Sequence, residues 1–161
     1  MNKEQVGPVL GRIPSGVFIL TARGPEGEQT GMLASWVQQA SFEPPTLTVA
    51  VNTKRYINDW LEDGAPVALS LVGESQKNLL GHFGKGFEPG EPAFEGLFTA
   101  TTEKGLTVLS DALGWLEGIV KAAVPGGDHM IYVVELTDGR PGDKLEAEKP
   151  FVHIRKNGFG Y

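Results

Sequence analysis

The chain has 161 residues, of which 40% are hydrophobic and 21% charged, which suits one soluble domain with a sizeable core. A net charge of -6 with no Lys/Arg stripe excludes a broad nucleic-acid footprint, although a small anionic ligand could still find a local cationic niche. No cysteine means no disulfide and no thiolate chemistry, and no apolar run approaches the ~20 residues of a membrane span. The N-terminus "MNKEQVGPVLGR" also lacks an apolar signal core, so a cytoplasmic protein is expected.

In chain order, a short helix is expected around residues 3–12, then a strand over 16–22 closed by the turn "GPEGE". A longer strand follows over 30–40. Ser35, Gln38, Gln39 and Ser41 interrupt its apolar run, and Pro44 and Pro45 end it. The next strand, 47–51, runs into Asn52-Thr53-Lys54-Arg55 and a helix over 56–62, with Tyr56, Ile57, Trp60 and Leu61 on one side and Gly64 as its stop. After a strand over 66–71, a second helix is expected over 75–83, with Ser75 as N-cap. The Gly/Pro-rich stretch "GKGFEPGEPAFEG" then reads as a long loop. Strands over 114–124 and 130–136 flank the turn "PGGD". In the first of these, Leu116, Val120, Ala122 and Val124 share one face, and Glu117 and Lys121 lie on the other. Many strands, two or three short helices and a tight Glu-Pro-Pro corner predict a mainly β, antiparallel Greek-key barrel in one domain, 1–161.

Chemistry is sparse. The three histidines, His82, His129 and His153, show no helical ligand spacing, so no metal site is expected. No G-x-S-x-G elbow and no Rossmann or Walker phosphate loop is present. The corner Asn52-Thr53-Lys54-Arg55 opens a predicted helix and reads either as a phosphate seat, with Arg55 able to bind bidentately, or as two solvated cations. Ser35, Gln39 and Ser41 mark either a solvent-facing strand or a place where backbone N–H groups approach a flat ring. His129, on the "PGGD" turn, is either exposed or set to meet a second ligand.

The segment "GMLASWVQQASFEPPTLTVAV" resembles the signature of flavin reductase-like proteins with the FMN-binding split barrel, with Gly31, Ser35, Ser41, Pro44 and Pro45 at the matching places. "PSGVFILTA", "NTKRYINDWL", "NLLGHFG", "LGWLEGIV" and "GGDHMIYVVEL" follow the same order, so the resemblance covers residues 10–161. "SWVQQASFEPP" is most similar to the flavin reductase domain fused to cyanobacterial diflavin proteins. The family often carries Ser or Thr where Tyr56 and Gln39 stand here.

The resemblance implies a homodimer, bound FMN with FAD as the alternative, and NAD(P)H as hydride donor. It places Leu33, Ala34, Ser35 and Trp36 against the isoalloxazine, with Gln39 and Ser41 further along the same strand. Asn52, Thr53, Lys54, Arg55 and Tyr56 take the ribityl–phosphate end, His82, Phe83 and Lys85 close over it, and His129 faces the flavin and the nicotinamide. The implied activity is an NAD(P)H-dependent flavin reductase. The competing expectations are an FMN-holding electron carrier resembling flavoredoxin, serving a redox partner protein, and a flavin- or haem-binding module without turnover.

Overall fold

The computed structural model describes residues 1–160. Helix α1, Lys3–Gly11, starts where the Asn2 side chain accepts the Glu4 N–H at 3.0 Å. The strands are β1 (Ser15–Gly16), β2 (Phe18–Arg23), β3 (Gln29–Ala34), β4 (Val37–Phe42), β5 (Pro45–Asn52), β6 (Pro66–Leu71), β7 (Thr99–Thr101), β8 (Thr107–Leu109), β9 (Gly114–Pro125), β10 (His129–Pro141) and β11 (Val152–His153). Helix α2 spans Asn78–Gly84. Among the described residues no helix is long and apolar enough to cross a membrane.

Seven strands form one antiparallel sheet in the order β3-β2-β6-β9-β10-β5-β4. Its two edges, β3 and β4, are consecutive in the chain. The expected single strand over 30–40 is therefore two strands, parted at Ser35 and Trp36. The chain leaves β2 there and joins β5, with the Ala50 N–H donating to the Trp36 carbonyl at 3.0 Å. That switch draws the sheet into a barrel and leaves a split beside Ser35. The barrel interior holds Leu20, Val49, Val67, Val120, Tyr132 and Val134. Outside it, α2 and the 85–98 loop pack Leu79, Phe83 and Ala93 onto Val17 and Ile19.

Four local expectations are corrected. Leu116, Val120, Ala122 and Val124 do not share one face, because the β9–β10 register shifts between Val120 and Ala122, so Val120 is buried in the barrel while Ala122 and Val124 are exposed. Residues 56–62 form only a 3-10 turn, Tyr56–Trp60, without a side-chain cap, so no helix dipole of useful length faces the cations. Ser75 does not cap α2: the helix begins three residues later with Lys77 in the cap position, and the Ser75 N–H donates to Glu148 Oε1 at 2.6 Å. Glu117 is not on a wet face. The β7–β8 hairpin, absent from the sequence reading, lays Leu106 and Val108 over Ala68 and leaves Glu117 1% exposed. Its carboxylate has no hydrogen bond, and Lys104 Nζ stands 3.9 Å away.

Candidate functional site

A cavity of about 610 Å³ opens at the split, in the usual size range of small-molecule sites. Met32, Leu33, Ala34 and Ser35 form its floor, the end of β3. Ser35 is 7% exposed, and neither its N–H nor its hydroxyl has a hydrogen-bond partner among the described residues. Such unpaired donors in a half-enclosed site are suited to a ligand acceptor. Leu80 and Gly84 of α2 form one wall, and Val17 and His153 another.

Lys54 and Arg55 supply the positive pole. Their corner is pre-formed by its own bonds. Asn52 Oδ1 accepts the Lys54 N–H at 3.0 Å, and Asn58 Nδ2 donates to the carbonyls of Asn52 and Arg55 at 2.8 and 2.6 Å. Tyr132 O–H in turn donates to Asn58 Oδ1 at 2.9 Å, and burial raises that phenol's pKa, with a smaller push from Asp59. Arg55 is no loose surface cation. Its Nη1 donates to the Lys85 carbonyl at 3.0 Å and passes so close to Gly86 that a Cβ there would collide with it. Gly86 has φ +78, a conformation that also favours glycine.

Thr53 ties this corner to the turn before β10: its N–H and hydroxyl both donate to the Asp128 carbonyl, at 2.9 and 3.2 Å. His129 then pairs with Asn52 in the β10–β5 register and lines the cavity. It is 8% exposed and held on two sides, which removes the solvated-turn reading. Nδ1 lies 2.8 Å from Asp128 Oδ1, and the ring packs 4.7 Å from the Trp36 centroid. Arg155 covers Trp36, 5.1 Å from its centroid. The hydrogen bond from His129, then the charge of its ring, lowers the Asp128 pKa below the usual carboxylate range. The Asp128 carboxylate, paired with Nδ1, fixes the orientation of the His129 ring at the cavity wall.

Of the expected site residues, Leu33, Ala34, Ser35, Asn52, Lys54, Arg55 and His129 meet around this cavity. Asn52 lines it while bracing the turn, and Thr53 serves the turn alone. Tyr56 and Lys85 line a second hollow beyond Arg55. Trp36 stands behind His129 rather than on the floor. Gln39 is exposed on β4, where its amide donates to the Ser41 carbonyl at 3.4 Å, so neither residue reaches the cavity. His82 Nε2 sits 2.8 Å from the Ala93 carbonyl and pins the long loop, and Phe83 is 0% exposed in the core. Both shape the wall from behind.

The sequence reading missed Val17, Met32, Ala50, Leu80, Gly84 and His153 as cavity residues. Met32 lay in the recognised segment, but β11, which carries His153, is only two residues long and gave no periodic signal. Among the described residues no three His, Asp or Glu side chains converge to hold a metal ion.

The sequence profile of the flavin reductase like domain matches residues 10–159. Diflavin flavoprotein A 1 of Synechocystis sp. is 42% identical over 154 residues, covering 94% of this chain and 26% of its own length. Putative diflavin flavoprotein A 5 of Nostoc sp. is 38% identical over 160 residues, with coverages of 97% and 27%. The chain thus spans about a quarter of these relatives. The NADH:FAD oxidoreductase of Streptomyces globisporus superposes with a TM-score of 0.82 at 24% identity, over 98% of this chain and 90% of that one, a likeness of fold. The styrene monooxygenase flavin reductase of Pseudomonas putida gives 0.77 at 25% identity, over 91% and 90%. Profile, relatives and barrel agree: this chain belongs to the flavin reductase like domain family.

Proposed function

We propose that this chain is an NAD(P)H-dependent flavin reductase holding a flavin, FMN or the FMN half of FAD, in the main cavity. The observation that carries the proposal is one cavity combining a strand-end floor, with unpaired donors at Ser35, and a braced two-cation pole at Lys54 and Arg55. Leu33, Ala34 and Ser35 lie against the ring, and Lys54 and Arg55 take the 5′-phosphate, Arg55 through the donors not used on Lys85. When bound, the flavin supplies hydride acceptance from a reduced nicotinamide, chemistry that belongs to the cofactor. Val17, Met32 and Leu80 keep water from the ring, and His129, clamped by Asp128 and Trp36, offers a fixed imidazole where the donor docks.

His129→Ala is therefore expected to raise KM for NAD(P)H or lower the reduction rate about tenfold, roughly the 1.4 kcal/mol of one lost hydrogen bond to the donor. The flavin dissociation constant is expected to stay within a few fold. Stopped-flow reduction of flavin-loaded protein checks this, and an unchanged rate with unchanged nicotinamide dependence would remove His129 from the site.

A second reading, an FMN-holding electron carrier, is favoured by the diflavin relatives, of which this chain spans about a quarter. Steady-state turnover of free FMN by NAD(P)H separates the two, since only a reductase sustains it.

A homodimer is also proposed. Ile131 lies opposite Ala50 and Val133 opposite Thr48, all half-buried, with Val124 (52% exposed) beside Ile131 on β9. This outward strip reaches the cavity at Ala50, so a second copy on it would abut the site. Light scattering is expected to give twice the 17.3 kDa chain mass, and a monomer mass would contradict the assembly.

A further inference from the structure

Beyond the cation corner lies a second hollow of about 220 Å³. It shares Met32, Lys54 and Arg55 with the main cavity, so the two meet where the flavin phosphate is proposed to sit. Past that junction the chemistry of the walls changes. Lys85 lines this side only, followed by Phe87, Glu88 and Pro89. The Phe87 ring is fixed, packed 5.3 Å from the His82 centroid and 5.7 Å from that of Phe83. Its remaining surface borders the hollow. The Glu88 N–H donates to Glu91 Oε2 at 2.7 Å, which sets the 88–91 turn, and the Glu88 carboxylate is exposed without a partner among the described residues.

A monophosphate tail would end at Lys54 and Arg55 and leave these groups unused. A diphosphate would run on past Arg55 to Lys85. A ribose diol would then donate to the Glu88 carboxylate, and a flat base would lie on Phe87. The volume equals about seven waters at ~30 Å³ each, room for a base and part of its sugar but not for another three-ring system. We propose that this hollow takes the adenylate half of a dinucleotide flavin, so that FAD is the preferred flavin, an assignment that rests on the flavin-bound reading of the main cavity.

Isothermal titration of the full chain with FAD, FMN and riboflavin tests it. FAD is expected to bind at least tenfold more tightly than FMN. Glu88→Ala and Phe87→Ala should each reduce most of that margin while leaving FMN within twofold. Glu88 is exposed, so its variant leaves the fold intact even where Phe87→Ala loosens the loop. FAD binding no tighter than FMN would overturn the role of the hollow while leaving the flavin site standing, and so would a preference that survives both variants. Failure of all three flavins to bind would overturn the flavin reading and this assignment together. The adenylate could also come from the nicotinamide dinucleotide. If Glu88→Ala weakens NAD⁺ binding to FMN-loaded protein but leaves FAD unaffected, the hollow belongs to the hydride donor and the proposal fails.

Discussion

Replacing Lys54 and Arg55 together by alanine is expected to weaken FMN about a hundredfold while riboflavin stays within a few fold. Among the described residues these two are the only Lys or Arg on the wall of the main cavity, and the short 3-10 turn that follows offers little dipole of its own. A charge-assisted hydrogen bond contributes about 1.5–3 kcal/mol. Lys54 is exposed and Arg55 half-buried, so screening puts each near the lower figure. Two such losses come to about 3 kcal/mol, or roughly two powers of ten in affinity. Riboflavin lacks the phosphate and serves as the internal control. The control is needed because Arg55 also bonds the Lys85 carbonyl, and its loss relaxes the loop around Gly86. Equal weakening of FMN and riboflavin in parallel titrations would assign both cations to that loop.

Phe83→Ala is expected to cost about 3–5 kcal/mol of stability, a large share of the 5–15 kcal/mol typical of a domain. Phe83 is fully buried where α2 meets β3. Its ring edge lies so close to Gly31 that a Cβ there would strike it, and Phe94, which also borders Gly31, packs against it with centroids 5.8 Å apart. Truncation leaves a void that neither the sheet nor the short helix can close. The melting temperature should fall by roughly 10 °C, from about 2–4 °C per kcal/mol in a domain of this size. Flavin affinity should fall as well, because α2 carries Leu80 and Gly84 to the cavity. Leu80→Ala, at a half-buried position, is the comparison: it should weaken flavin with a much smaller loss of stability. A melting temperature within 2 °C of wild type for Phe83→Ala would show that α2 docks by other contacts.

The elements that periodicity and turn chemistry specify locally were legible in the sequence. Strands over 47–51, 66–71 and 114–124 appear close to their expected bounds, the strand expected over 130–136 runs on to Pro141, and the cation corner lies where its residues said it would. What was not legible depends on distant partners. Ser35 and Trp36 are acceptable in a strand, so nothing local announces that the chain changes neighbours there; only the pairing of β3 with β2 and of β4 with β5 reveals it. Glu117 follows the expected alternation, yet its face is buried because the short β7–β8 hairpin, three residues a strand, happens to cover it. The position of His129 on its turn left it either exposed or facing a second ligand, and the family resemblance set it toward the flavin. Its clamp could be half read, since Asp128 is its neighbour in sequence, whereas Trp36 reaches it only through the barrel. Gln39 and Ser41 are polar like Ser35 and lie in the same signature segment, which is why the sequence points to them. Once the strand parts at Ser35, they travel outward with β4.

Anaerobic mixing of flavin-loaded protein with NADH and with NADPH, followed at the flavin absorbance, tests the central claim most directly. With at least one of the two donors, bound flavin is expected to bleach much faster than the same flavin free in solution, with a rate that saturates in the nicotinamide. Bleaching no faster than free flavin with either donor, in protein shown to hold one flavin per chain, would contradict the reductase account and leave the electron carrier in its place.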